Sequence, residues 1–224
     1  MERRFVVSDI HGCAKTFNEL LFNQLHIEEI DSLYLLGDYV DRGPDSKGVL
    51  DIIIELSENK YKVFPLRGNH EQFMFNSFLG PKLHQFWLEC GGHQTLQSFK
   101  AATIFDIPSQ YIDFLESLVY YIELEDFLLV HAGFNFSEGK PFQDLEAMMM
   151  IRNYKVDRRY IGNKKIIHGH TPIPLYEIKK NLKDEDLMAI NLDAGCVYKN
   201  TFGLGNLLAL DLDTWNFYIQ PCLD

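Results

Sequence analysis

The sequence predicts an α/β fold in which two mixed β-sheets pack face to face as a β-sandwich, flanked by helices and interrupted by a helical insert. Three observations carry this. Short β-rich runs alternate with helical stripes over the first third of the chain, an aromatic helix-patterned stretch occupies about 71–118, and short strands then resume to the end.

Arg4 to Ser8 is a β-rich run stopped by Asp9-Ile10-His11-Gly12, and Ala14 to Leu25 then carries Phe17, Leu20, Leu21 and Leu25 at helical spacing. The unit repeats with a strand at Ser32 to Gly37 and a helix at Ser46 to Ser57, striped by Val49, Leu50, Ile53 and Ile54. A third strand runs from Tyr61 to Arg67. Strands alternating with helices imply βαβ crossovers and a parallel sheet, whose ligand sites gather at the carboxyl ends of the strands. From Glu71 to Ser117 the pattern is helical and rich in phenylalanine, broken by Gly80-Pro81, Cys90-Gly91-Gly92 and Pro108. Val119 to Leu124 and Phe127 to Val130, joined through Glu125-Asp126, read as an antiparallel hairpin. Further strands are expected at Lys164 to His168, Leu175 to Ile178, Leu187 to Leu192, Asn206 to Leu210 and Trp215 to Ile219, making a parallel half followed by an antiparallel half.

With 224 residues, 46% hydrophobic and 24% charged, the chain is expected to form one domain over 1–224 with a single core. A formal charge of -11 disfavours duplex nucleic acid as a partner, which is bound through cationic surfaces. No apolar leader precedes Phe5 and no run is long enough to cross a membrane, so a cytoplasmic location is expected. Cys13, Cys90, Cys196 and Cys222 lie far apart in sequence and read as reduced thiols. Cys13 stands two residues from His11, but a nucleophilic or zinc-binding reading has no partner cysteine at ligand spacing.

Five polar segments fall at predicted strand ends: Asp9-Ile10-His11-Gly12, Gly37-Asp38-Tyr39-Val40-Asp41-Arg42-Gly43, Gly68-Asn69-His70-Glu71, His131-Ala132-Gly133 and His168-Gly169-His170-Thr171. Any one of them alone is most simply a loop cap or a hydrogen-bonding pair. Together they supply carboxylates (Asp9, Asp38), imidazoles (His11, His131, His170) and an amide oxygen (Asn69), the ligand set of a two-metal phosphoesterase. Imidazole nitrogens favour transition metals over magnesium or calcium, so two divalent ions are expected, manganese first and iron or zinc as alternatives. Two such ions roughly 3.5–4 Å apart acidify a bridging water to hydroxide and clamp the attacking and leaving oxygens of an in-line displacement. Asp41 beside Arg42 reads equally as a surface ion pair, Arg152 as an exposed helix residue, and His168 as structural.

The order DxHG, GDxVDRG, GNHE, HAG and GHTP resembles the phosphoprotein phosphatase family within the calcineurin-like metallophosphoesterases. Trp87-Leu88-Glu89-Cys90-Gly91-Gly92, Ile151-Arg152 and Asp193-Ala194-Gly195-Cys196-Val197 agree with it. The resemblance implies a calcineurin-like architecture, with Asp9, His11 and Asp38 at one metal and Asp38, Asn69, His131 and His170 at the other. It implies that His70 is the general acid, oriented and kept cationic by Asp41, and that Arg42 and Arg152 grip phosphate oxygens. The implied substrate is a phosphorylated serine or threonine of a protein or peptide, with a symmetrical diadenosine tetraphosphate hydrolase as the alternative. The segment Tyr198 to Gly205 departs from the family's short glycine turn. A catalytically silent phosphoprotein-binding module is the reading of a different class; completeness of the ligands and His70 argues against it.

Overall fold

The computed structural model describes residues 2–224. The first half runs β1 (Arg4–Val7), α1 (Ala14–Asn18), β2 (Ser32–Leu35), α2 (Ser46–Glu58), β3 (Lys62–Pro65), and then the insert α3 (Asn69–Asn76), α4 (Pro81–Trp87), α5 (His93–Phe99) and α6 (Ser109–Glu116). The second half runs β4 (Tyr121–Glu123), β5 (Phe127–Val130), α7 (Leu145–Met150), α8 (Arg158–Ile161), β6 (Lys165–His168), α9 (Leu175–Asn181), β7 (Ala189–Asn191), β8 (Asn206–Asp211) and β9 (Phe217–Pro221).

The strands form a five-stranded sheet in the order β3-β2-β1-β8-β9 and a four-stranded sheet in the order β4-β5-β6-β7. Period-two alternation sorts their side chains into layers. Phe5 and Val7 of β1 and Leu207 and Ala209 of β8 pack under α1 and α2, whereas Val6, Leu208 and Leu210 face the other sheet. Phe127 and Leu129 of β5 meet them there, while Leu128 and Val130 point outward to Phe134, Met148 and Ile161. One hydrophobic layer thus lies between the sheets and another under each outer face.

Two expectations are corrected. Leu175 to Ile178 is the start of α9, not a strand. Pro174 supplies the fixed φ that opens a helix, and Leu175, Ile178 and Leu182 share one helical face against the inter-sheet core. The second half is also not antiparallel throughout. The β4–β5 hairpin is antiparallel, but β5–β6 and β6–β7 are parallel because helices cross over between them. The antiparallel β8–β9 pair instead joins the first sheet through β1.

The last expected strand begins later than its apolar pattern suggested, at Phe217. Trp215, at φ 59°, belongs to a turn closed by the Asp211 carboxylate, which accepts from Thr214 Oγ1 at 2.8 Å. No helix among the described residues is long and apolar enough to cross a membrane.

Candidate metal centre

β1 and β2 are parallel neighbours, so the segments leaving their carboxyl ends run side by side. Ile10 and His11 donate backbone N–H groups to the Asp38 carbonyl at 3.1 and 2.8 Å, and Gly12 donates to Tyr39 at 2.8 Å. Glu71 locks the next segment to these two. Its carboxylate accepts from the backbone N–H of Asp38 and Gly68, both at 2.9 Å, and of Tyr39 at 2.8 Å. Burial pushes this carboxyl up to about 8, against the pull of those amides.

The loops are strained where they carry function. His11, Asp38, Asp41, Arg42 and His170 all have positive φ, between 47° and 74°. Non-glycine residues adopt that region at a cost, which a site recovers by aiming side chains inward. Glycines open the room: a Cβ on Gly68 would fall 2.1 Å from Asp38 Oδ1, and one on Gly169 2.0 Å from Asp9 Oδ1.

Proton bookkeeping at the imidazoles tests whether cations fit. His131 Nδ1–H donates to the Leu36 carbonyl at 2.9 Å, so its Nε2 holds a lone pair, and that atom lies 2.9 Å from Asn69 Oδ1 and 3.5 Å from Asp38 Oδ1. His11 Nδ1–H donates to Val40 at 3.0 Å, leaving its Nε2 lone pair 3.5 Å from Asp38 Oδ2. Acceptors therefore face acceptors. Arg42 Nη1 donates to His11 Nε2 at 2.8 Å, a positive group set against a ligand lone pair. His170 Nδ1 lies 2.8 Å from Asn69 Oδ1, and its Nε2 is buried without a partner. Burial holds His131 and His170 down to about 3, so both are neutral at ordinary pH.

The carboxylates make the same demand. Burial, with repulsion from Asp193 and Asp38, drives Asp9 well above the usual carboxylate range, although the His170 N–H donates to it at 3.0 Å. Apart from the Arg42 donor at His11, carboxylates, lone pairs and an amide oxygen converge with few matching protons, an arrangement that suits divalent cations. His11, Asp38 and His70 form one group of potential ligand atoms, and Asp38, His131 and His170 a second, so Asp38 is common to both. Asp9 is in neither group, but its carboxylate accepts the His170 N–H at 3.0 Å, which keeps it next to the second.

Asp41 is no surface ion pair. It is fully buried and accepts from His70 Nδ1 at 2.8 Å, Thr95 Oγ1 at 2.7 Å and Trp87 Nε1 at 3.0 Å. His70 is thus oriented as expected, with its buried Nε2 left unpartnered. Burial by itself lowers His70 to about 4 and raises Asp41 to about 8. A buried pair of this kind titrates as a unit that favours zero net charge. Neutral Asp41 with neutral His70, or its charge-separated tautomer, holds the same two protons.

Arg152 is exposed, and its charge depresses His170, which sets it near the second group without a direct contact. His168 belongs to neither group; its ring packs edge-on to Tyr154 at 5.9 Å. Glu71, Asp193, Trp87 and Thr95 were not singled out from the sequence as site residues. Glu71 closes the GNHE motif, and Trp87 and Asp193 sit in segments the resemblance had flagged; Thr95 carries no local signal.

The sequence model of the calcineurin-like phosphoesterase family matches residues 3–198. A relative from Oceanobacillus iheyensis named bis(5'-nucleosyl)-tetraphosphatase, asymmetrical, is 24% identical over 87% of this chain and 84% of its own. Among solved structures, one provisionally identified as a diadenosine tetraphosphatase superposes with TM-score 0.68 at 20% identity, covering 100% of this chain and 95% of the other. A serine/threonine phosphatase of Saccharomyces cerevisiae superposes with TM-score 0.66 at 15% identity, covering 98% and 79%.

Proposed function

The chain belongs to the calcineurin-like phosphoesterase family and is a metal-dependent phosphoesterase, and from that premise we propose that it hydrolyses dinucleoside tetraphosphates. Sequence reasoning ranked a phosphorylated protein first and the dinucleotide second. The nucleotide activity in the name of a relative aligned over most of both chains supports the reverse order.

The observation that carries the proposal is the loop 198–205. Leu175, four residues past Thr171, donates its N–H to the Gly203 carbonyl at 2.8 Å, and the Tyr198 ring lies 5.8 Å from the Arg42 guanidinium. The loop therefore stands at the rim of the metal centre. Its Phe202 is 93% exposed. A phosphoryl group alone makes no use of aromatic faces, whereas stacking a base is worth about 1–3 kcal/mol.

Asp9, His11, Asp38, Asn69, His131 and His170 would hold two divalent ions, which supply charge neutralisation and an acidified water when bound. The chain's own groups do the rest. Arg42, already at the His11 edge, offers a guanidinium fork to phosphate oxygens, with Arg152 as an outer cation. The Asp41–His70 pair passes a proton out through His70 Nε2 to the leaving oxygen.

Side-by-side kcat/KM values for diadenosine tetraphosphate and a phosphoserine peptide test the proposal. The dinucleotide is expected to win by tenfold or more, and Tyr198→Ala with Phe202→Ala to erase that margin while sparing p-nitrophenyl phosphate. The products identify the cut: two ADP for symmetrical cleavage, ATP with AMP for asymmetrical. A tenfold preference for the peptide would restore the phosphatase reading. No turnover of any phosphate compound, with metals bound, would favour the silent module.

A further inference from the structure

Three of the four cysteines, isolated in sequence, converge in the fold: the sulfurs of Cys13, Cys196 and Cys222 all lie within 4.8 Å of one another. They come from three different places. Cys13 stands between Gly12 and α1, Cys196 follows Asp193-Ala194-Gly195, and Cys222 follows β9. Cys13 and Cys196 are buried and Cys222 is half-buried, so the cluster has one side toward solvent.

The chain spends polar contacts on holding Cys222 there. The Asp224 carboxylate accepts from the N–H groups of Lys15 at 3.2 Å and Thr16 at 2.9 Å, and from Thr16 Oγ1 at 2.6 Å. Leu223 donates its N–H to Thr16 Oγ1 at 2.9 Å, and Cys222 donates its N–H to the Gly205 carbonyl at 2.9 Å. Lys199 Nζ donates to the Asp224 carbonyl, adding a positive charge beside the cluster. The last residues are thereby strapped across the start of α1, over Cys13.

We propose that Cys13, Cys196 and Cys222 form a thiolate site for a zinc ion, separate from the oxygen- and nitrogen-rich centre. Zinc–sulfur bonds of about 2.3 Å in a tetrahedron put sulfurs roughly 3.8 Å apart, so the observed cluster needs only a small contraction. Three cysteines leave the fourth position to water through the solvent-facing side. Binding releases three thiol protons to solvent and leaves a net charge of one minus, beside which Lys199 and the Asp224 carboxylate stand with opposite charges. The sulfur set distinguishes this site from the catalytic centre, whose proposed ligands include no thiol. An occupied site would tie the turn carrying His11, the loop carrying Asp193 and the chain's end to one another.

Cadmium titration of the full-length protein tests this, because a cadmium–thiolate charge-transfer band in the ultraviolet reports sulfur ligation and not carboxylate or imidazole ligation. One band-forming cadmium per chain is expected, displaced by zinc. Cys222→Ser should weaken it by a hundredfold or more, and Cys90→Ser should leave it unchanged. Zinc should also protect Cys222, the half-buried thiol of the three, from a maleimide in the unmodified chain, with a chelator restoring its reactivity. That measurement stands even if Cys222→Ser fails to fold. Absence of the band, a band untouched by Cys222→Ser, or a Cys222 equally reactive with and without zinc would overturn the proposal.

Discussion

The hydrogen bonds to the Asp41 carboxylate come from an indole N–H, a hydroxyl and the His70 imidazole, and no guanidinium or ammonium among the described residues bonds to it. Burial pushes Asp41 up to about 8, so the Asp41–His70 pair is expected to keep its transferable proton at neutral pH. His70→Asn should therefore lower kcat by roughly 10²–10⁴-fold on substrates with poor leaving groups, the range of a positioned general acid. Aryl phosphates, whose leaving oxygen needs little protonation, should lose far less; equal losses on both would remove His70 from this role.

Arg42→Ala should weaken competitive inhibition by inorganic phosphate by about 1.5–3 kcal/mol, as for a charged hydrogen-bond partner. Arg152, exposed and without a direct contact to the centre, should cost less than Arg42 in the same assay. An Arg152→Ala variant with unaltered phosphate inhibition and kcat/KM would identify it as a surface residue. Asp38 is common to both ligand groups, so Asp38→Asn should abolish activity and reduce bound metal, read by elemental analysis.

At the scale of elements, the insert supplies hydrogen-bond partners to Asp41. α4 ends in Trp87 and α5 contains Thr95, and both donate to Asp41. Between them Gly91 accepts the Arg42 N–H at 3.2 Å, and a Cβ on Gly91 would fall 2.6 Å from the Arg42 nitrogen. Trp87→Phe keeps the ring volume class but removes one donor to a buried carboxyl, which should destabilise by about 1–3 kcal/mol in urea unfolding. It should also shift the alkaline limb of the pH–kcat profile, because the Trp87 bond favours the charged form of Asp41 and its loss raises the pair's pKa. A variant with parent stability and an unchanged profile would show that Trp87 only fills space.

For the molecule as a whole, histidines held neutral by the fold are expected to contribute to the response to acid. Burial holds His168 to about 4, below its ordinary 6.5, so the unfolded chain takes up that proton first as pH falls. Its contribution to stability is complete above about 6.5 and is lost as pH drops through 4. His168→Asn should accordingly lose less stability between pH 7 and pH 4 than the parent, measured as the change in urea midpoint. A parallel loss in both proteins would mean that His168 is not held neutral by the fold.

The polar motifs, the strand ends that carry them and the alternation of strand and helix were legible because each depends on residues close in sequence. Asp9 and His11, or Asn69 and His70, are placed by one turn after one strand, and Phe5, Val6 and Val7 divide between two faces by strand periodicity alone. Leu175 to Ile178 failed because four residues satisfy a helix as well as a strand, and only Pro174 and the face it shares with Leu182 decided between them. Tertiary structure alone decided which distant groups meet. Trp87 and Thr95 reach Asp41, Glu71 reaches the Asp38 loop, and Cys13, Cys196 and Cys222 gather because the crossovers and the antiparallel return of β8 and β9 bring strand ends together. Such encounters leave no period and no spacing in the chain, since they follow from the order of strands in a sheet rather than from the order of residues along it.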